Sequence, residues 1–194
     1  EGQQAARHDG ARRQDRHEGD AKLATSHRSS SMNTARTAAG VAATLALAML
    51  AACQPAPQAP DVGYTLLDGR VQHLAQLRGH VVLVNFWASD CAPCVQELPR
   101  LAQSWRRFAP RGFDALAVSM RYDPPAQAIA FARSRALPFG VVIDLTGEVA
   151  AAFGRVDATP TTVLIDKRGR EVARWAGPID FDELDRRLAR LVAE

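Results

Sequence analysis

Six residues, Val81-Val82-Leu83-Val84-Asn85-Phe86, restrict the fold more than any other part of the chain. Only Asn85 is polar, and three of the five apolar residues are β-branched. A strand with one face in water alternates apolar and polar side chains, whereas a near-continuous apolar run belongs to a strand covered on both faces. Directly after it comes Trp87-Ala88-Ser89-Asp90-Cys91-Ala92-Pro93-Cys94, and then a segment, Cys94 to Phe108, in which Leu98, Leu101 and Trp105 recur at helical spacings. A buried strand therefore runs through a Cys-x-x-Cys turn into a helix.

The rest of the chain from Val62 extends this unit. Tyr64–Leu67, Asp68-Gly69 and Arg70–His73 read as a small hairpin, because Asp-Gly accepts the left-handed angles of a tight turn. Phe113–Met120 is a second strand, the segment from Pro124 or Pro125 to Ala136 a second helix started by proline, and Val141–Asp144 a short strand. Gly147–Phe153 is a short helix. Thr161–Asp166 is a strand turning through Lys167–Arg170 into Glu171–Trp175. Asp180 caps a last helix, with Glu183 three residues on as a capping box requires and an apolar stripe of Phe181, Leu184, Leu188, Leu191 and Val192. Strands alternating with helices predict an α/β fold, its sheet covered by helices on both faces. The final hairpin makes the sheet mixed.

The N-terminal part differs in kind. Only six of the first 31 residues are apolar and 11 are charged, too few apolar groups to offset about 1–2 kcal/mol of backbone ordering per residue. Residues 1–31 are expected to be a disordered tail lying upstream of the true start at Met32. Residues 32–52 carry Arg36 and an apolar stretch from Ala38 to Ala52, too short for a comfortable membrane span of about 20 residues but matching an export signal. Leu50-Ala51-Ala52-Cys53 resembles the lipobox of bacterial lipoproteins, which implies an acylated Cys53 at the mature N-terminus. Residues 53–61, with three prolines between Gln54 and Asp61, suit an extended tether, leaving 62–194 as the folded domain. The net charge of +3 on 194 residues leaves no basic footprint for nucleic acid: residues 53–194 carry 17 basic and 16 acidic side chains.

The chemistry lies in Cys91 and Cys94. At a helix N-terminus the first cysteine meets free N–H groups and the positive end of the dipole, which favours its thiolate. The i, i+3 spacing returns the second sulfur to the first, where it can attack a mixed disulfide. Other uses of such a pair are a structural disulfide and a zinc knuckle. The knuckle needs two further ligands, and His73 and His80 both precede the central strand. Cytochrome attachment needs a histidine after Cys94, where Val95 stands, and peroxidase chemistry a lone cysteine in a peroxide-polarising pocket. No cofactor is expected.

Four blocks carry a family resemblance: Val84–Ser89, Cys91–Cys94, Glu97-Leu98-Pro99 and Thr159–Thr162. Over about residues 62–194 the chain resembles the thioredoxin-like TlpA/ResA family. The resemblance implies a membrane-tethered, extracytoplasmic thiol-disulfide oxidoreductase, reducing apocytochrome c or another exported protein with a cysteine pair. It implies that Cys91 is the exposed nucleophile and Cys94 the buried resolving thiol. Pro160 would be a cis-proline facing them, and Thr159 would offer backbone hydrogen bonds to a substrate strand. Trp87, Asp90 and Pro93 are expected to border the substrate.

Glu97 would be the family's buried acid, and its position three residues after Cys94 gives it the same helical face; buried, it could exchange protons with Cys94. Asn85 stands where thioredoxin has a buried aspartate. The chain departs from the family at Asp90, where a second tryptophan is usual. A carboxylate there removes an apolar docking surface and disfavours the neighbouring thiolate, and it could cap the active-site helix. Ala158 replaces a common glycine.

The expected whole is a monomeric, periplasm-facing reductase lipid-anchored to the inner or outer membrane, regenerated by a membrane electron carrier of the DsbD or CcdA kind. Maturation of cuproproteins, by reducing cysteines or handling Cu(I), is an alternative. Against it stands the single methionine, Met120, after the signal. A non-enzymatic envelope binding module is another.

Overall fold

The computed structural model of the chain describes residues 56–194. The expectations for the tail, the export signal and Cys53 lie outside the described residues. From Pro57 the chain is already docked on the domain: the Pro57 carbonyl accepts from Glu171 N–H at 2.8 Å, Ala59 N–H donates to the Gly169 carbonyl at 2.9 Å, and the Asp61 carboxylate accepts from Ala75 N–H at 3.1 Å. The folded unit thus begins before Val62, because the turn after Asp166 presents backbone groups that a Pro-rich strand without many N–H groups of its own can still satisfy.

The expected hairpin forms from β1, Gly63–Thr65, and β2, Val71–His73, paired antiparallel. Gly69 takes φ 86° in its turn, the left-handed value expected of Asp-Gly. The central strand is β3, Val81–Trp87, and all seven of its residues are buried. It leads into α1, Ala92–Phe108, followed by β4, Phe113–Ser119; α2, Pro125–Ser134; β5, Gly140–Ile143; and the short α3, Glu148–Ala152. The chain ends with β6, Thr161–Ile165; β7, Glu171–Ala176; and α4, Phe181–Leu191.

The main sheet has the order β5-β4-β3-β6-β7. β4 runs parallel to both β3 and β5, and β6 runs antiparallel to both β3 and β7, which makes the sheet mixed as expected. Alternate residues of β3 serve two cores. Val81, Leu83 and Trp87 pack with Leu98 and Leu101 of α1, Ala128 of α2 and Leu184 and Leu188 of α4. Val82, Val84 and Phe86 pack with Tyr64, Leu66, Leu74 and the α3 residues Val149 and Ala150. The second face is therefore covered by the hairpin and one short helix. Within it, burial and the nearby Asp114 carboxylate push the Tyr64 phenol up to about 12, against the opposing pull of Arg70.

Asp180 caps α4, accepting from Glu183 N–H at 3.0 Å. The second half of the capping box does not form. Glu183 instead takes the Arg187 guanidinium at 2.8 Å, an i, i+4 ion pair on its own helix.

Candidate active site

The parallel strands β3 and β4 end together, and the loop after β3 carries the cysteines over the sheet at that end. Cys91 is the N-cap of α1, and its sulfur accepts from Cys94 N–H at 3.4 Å, the position a serine or aspartate oxygen usually fills. The helix starts at Ala92, two residues before the expected Cys94. Pro93 sits in the first turn, where its missing N–H is of no consequence. Asp90, which could have capped this helix, does not; it is exposed one residue earlier.

Cys91 and Cys94 are joined by a disulfide, with Cα atoms 5.3 Å apart. Their environments differ. Cys91 is half-buried, and Asp90, Ala92 and Pro93 beside it are exposed, while Cys94 is completely buried against the core. One sulfur is reachable from solvent and the other only through it. In the reduced protein the Cys94 N–H and the helix dipole would act on Cys91, favouring its thiolate.

Glu97 follows on the inner face of α1 and is buried, 6% exposed. Its Oε1 accepts the N–H of Ile179, just before α4, at 2.5 Å, and Oε2 has no hydrogen-bond partner among the described residues. Burial holds its carboxyl above the usual range, despite the opposing effects of the Ile179 N–H and the Arg100 guanidinium. A carboxylic acid that keeps its proton unusually well therefore lies on the same inner face as Cys94, one helical turn away.

The β3–β6 ladder ends at the pair Phe86 and Thr161. The next residue on the β6 side is Pro160, buried and preceded by a cis peptide bond, so the Thr159–Pro160 segment lies at the same end of the sheet as the cysteine loop. The Pro160 carbonyl accepts from Gly177 N–H at 2.8 Å, and Thr161 Oγ1 donates to the Ala158 carbonyl at 2.7 Å. Thr159 is half-buried, its hydroxyl 3.2 Å from that of Tyr122.

Trp87 requires a correction. Expected at the substrate surface, it is fully buried, its ring 5.2 Å from that of Phe131 on α2. As the last residue of β3 it points to the α1 face, so it supports the cysteine loop from below and touches nothing outside. Asn85, on the same face of β3, donates to Thr162 Oγ1 at 2.8 Å. Sequence reasoning missed Asp123, whose buried carboxylate grips Ser89 in the cysteine loop, and Tyr122 beside it. The Asp-Pro-Pro step after Tyr122 reads as an ordinary helix start, with nothing to mark a contact 34 residues back.

Residues 55–172 match the AhpC/TSA family. A thiol-disulfide oxidoreductase ResA from Geobacillus thermodenitrificans is 34% identical over 130 residues, 67% of this chain and 74% of that protein. The chain belongs to the AhpC/TSA family, among its TlpA/ResA-like thioredoxin-fold members. A second relative of this group, a thiol:disulfide interchange protein DsbE homolog from Paracoccus denitrificans, is 37% identical over 134 residues, 68% of this chain and 71% of its own. The crystal structure of a thioredoxin-family thiol:disulfide interchange protein from Chlorobium tepidum superimposes with a TM-score of 0.66 at 25% identity, covering 72% of this chain and 99% of that one. Thiol-disulfide oxidoreduction is the activity of the family member described here.

Proposed function

We propose that this protein is a reductase of disulfides in exported polypeptides, apocytochrome c among them, with Cys91 as nucleophile and Cys94 as resolving thiol. The observation that carries the reading is the asymmetry of the pair: Cys91 is half-exposed at the N-cap of α1, and Cys94 is sealed behind it on the face that also holds Glu97.

The Cys91 thiolate attacks one sulfur of the substrate disulfide. The substrate S–S bond breaks, a Cys91 mixed disulfide forms, and the other substrate sulfur leaves as a thiolate that takes up a proton. Cys94 then loses its proton to the ionised form of Glu97, whose raised pKa makes it the stronger base, and attacks the Cys91 sulfur. The Cys91–Cys94 disulfide forms, and the second substrate sulfur leaves and is protonated in turn. Two electrons pass from the protein dithiol to the substrate, which ends as two thiols. Thr159 and Pro160 receive the substrate strand, with Asp90 and Pro93 at its border.

Anchoring through an acylated Cys53 would hold the domain on the periplasmic side of a membrane, where a carrier of the DsbD or CcdA kind returns the electrons. The reduction potential of the Cys91–Cys94 couple tests the direction. Equilibration with defined thiol buffers is expected to place it at about −250 mV, and a value of about −120 mV would make the protein an oxidant instead.

A further inference from the structure

The loop between β4 and α2 touches both halves of the site. Asp123 is buried, 2% exposed, and accepts three hydrogen bonds: from Ser89 N–H at 2.9 Å, from the Ser89 hydroxyl at 2.5 Å and from the Ser119 hydroxyl at 2.9 Å. Ser89 lies two residues before Cys91, and Ser119 ends β4. The Asp123 N–H donates back to Met120 at 2.9 Å, so the carboxylate is fixed to the strand end while it holds the cysteine loop. The preceding residue faces the other way. Tyr122 is exposed, and its hydroxyl meets Thr159 Oγ1 at 3.2 Å, one residue before Pro160.

Burying a carboxylate is costly unless donors surround it. All three partners here act as donors, which suits a group that only accepts. Two adjacent residues thus fasten two loops that have no connection in sequence, and each loop carries one half of the reaction. Displacing a reacting group by about 1 Å can cost about a hundredfold in rate, so the separation of these loops matters more to exchange than to folding.

We propose that Tyr122 and Asp123 form a bracket that sets the spacing between the Cys91 nucleophile and the Thr159–Pro160 segment. Asp123 positions Cys91 through Ser89, and Tyr122 positions the strand that receives the polypeptide. The second half rests on the reading of Thr159–Pro160 as the substrate-binding segment.

The test uses Asp123→Asn, Ser89→Ala and Tyr122→Phe in the complete domain. Asparagine turns one accepting atom into a donor facing donors, alanine removes a single hydroxyl, and phenylalanine keeps the ring. Each variant is reduced and alkylated with iodoacetamide across pH, and then assayed for reduction of insulin and of the small disulfide dithiobis(nitrobenzoate). Ser89→Ala, which changes no charge, is expected to move the Cys91 alkylation midpoint to higher pH as the loosened loop carries Cys91 off the Cys94 N–H. In Asp123→Asn the loss of a negative charge opposes that shift, so both loop variants are also compared by rate. They should lower kcat/KM for both disulfides about three- to tenfold, the worth of one well-made hydrogen bond. Tyr122→Phe should raise KM for insulin by a similar factor and raise it for the small disulfide much less.

A midpoint that stays put or falls in Ser89→Ala, or a kcat/KM unchanged in both loop variants, overturns the Asp123 half. If Asp123→Asn does not fold, Ser89→Ala decides alone. An insulin KM unchanged in Tyr122→Phe, or raised equally for both substrates, overturns the Tyr122 half. Pro160→Ala separates this from failure of the underlying reading. If that variant raises the insulin KM while Tyr122→Phe does not, the bracket alone is wrong. If Pro160→Ala leaves it unchanged, the segment does not receive substrate and the Tyr122 half falls with it.

Discussion

Replacing Glu97 by alanine and by glutamine separates what its hydrogen bond does for the fold from what its proton does for chemistry. Glu97 Oε1 takes the N–H of Ile179, a residue itself only 7% exposed. Glutamine keeps an acceptor there. Alanine leaves a buried donor without a partner, which costs about 1–3 kcal/mol. The alanine variant is therefore expected to be less stable than the glutamine variant by that amount, a shift of roughly 0.5–1.5 M in urea midpoint for a slope near 2 kcal/mol/M.

The wild type adds a pH dependence that neither variant has. Burial, against the Ile179 N–H and Arg100, raises the Glu97 pKa above its ordinary value of 4.5. An acid with a raised folded pKa stabilises the fold in its protonated form. That contribution is complete below about pH 4.5 and is lost as pH climbs through the folded value, by at most about 1.4 kcal/mol per pH unit. Urea unfolding of the disulfide form between pH 4 and 9 should show wild type losing stability relative to Glu97→Gln over that window, and then running parallel to it. Parallel curves throughout, or an alanine variant as stable as the glutamine one, would refute the buried-acid reasoning.

Other substitutions test other parts of the site. Asp90→Trp removes a charge beside Cys91 and restores an apolar surface; it should increase the thiolate fraction at neutral pH and change insulin reduction more than that of a small disulfide, with equal effects rejecting the docking argument. Trp87→Ala should destabilise the domain by about 3–5 kcal/mol, lowering the melting temperature by on the order of 10 °C; a small loss would show that the ring is not the buried support found here. Cys53→Ser should leave the protein unprocessed or soluble in the native envelope, and unchanged mass and detergent partitioning would reject the lipid anchor.

Local patterns carried the reading furthest. The central strand was legible because burial on both faces leaves a run with one polar residue, and the Asp180 cap because its partner is three residues away. The start of α1 reads two residues late, at Cys94, because Ala92-Pro93 looks like the end of a loop, although proline suits a first helical turn. Trp87, at the edge of the motif, reads in sequence as a residue bordering the substrate. Its burial depends on Phe131, 44 residues away, whose position only the packing of α2 determines. The closeness of Thr159–Pro160 to the cysteines came from family resemblance, since it depends on the pairing of β6 with β3. Asp123 escaped for the same reason: a buried carboxylate on a polar loop looks like any solvated aspartate until Ser89 and Ser119 close around it.

Trapping the mixed disulfide tests the division of labour between the sulfurs most directly. The reduced Cys94→Ser variant, mixed with an excess of oxidised insulin, should accumulate a covalent adduct through Cys91 that reducing agent releases, and Cys91→Ser should form little under the same conditions because Cys94 is buried. An adduct carried mainly by Cys94 in the Cys91→Ser variant, with none on Cys91, would contradict the account.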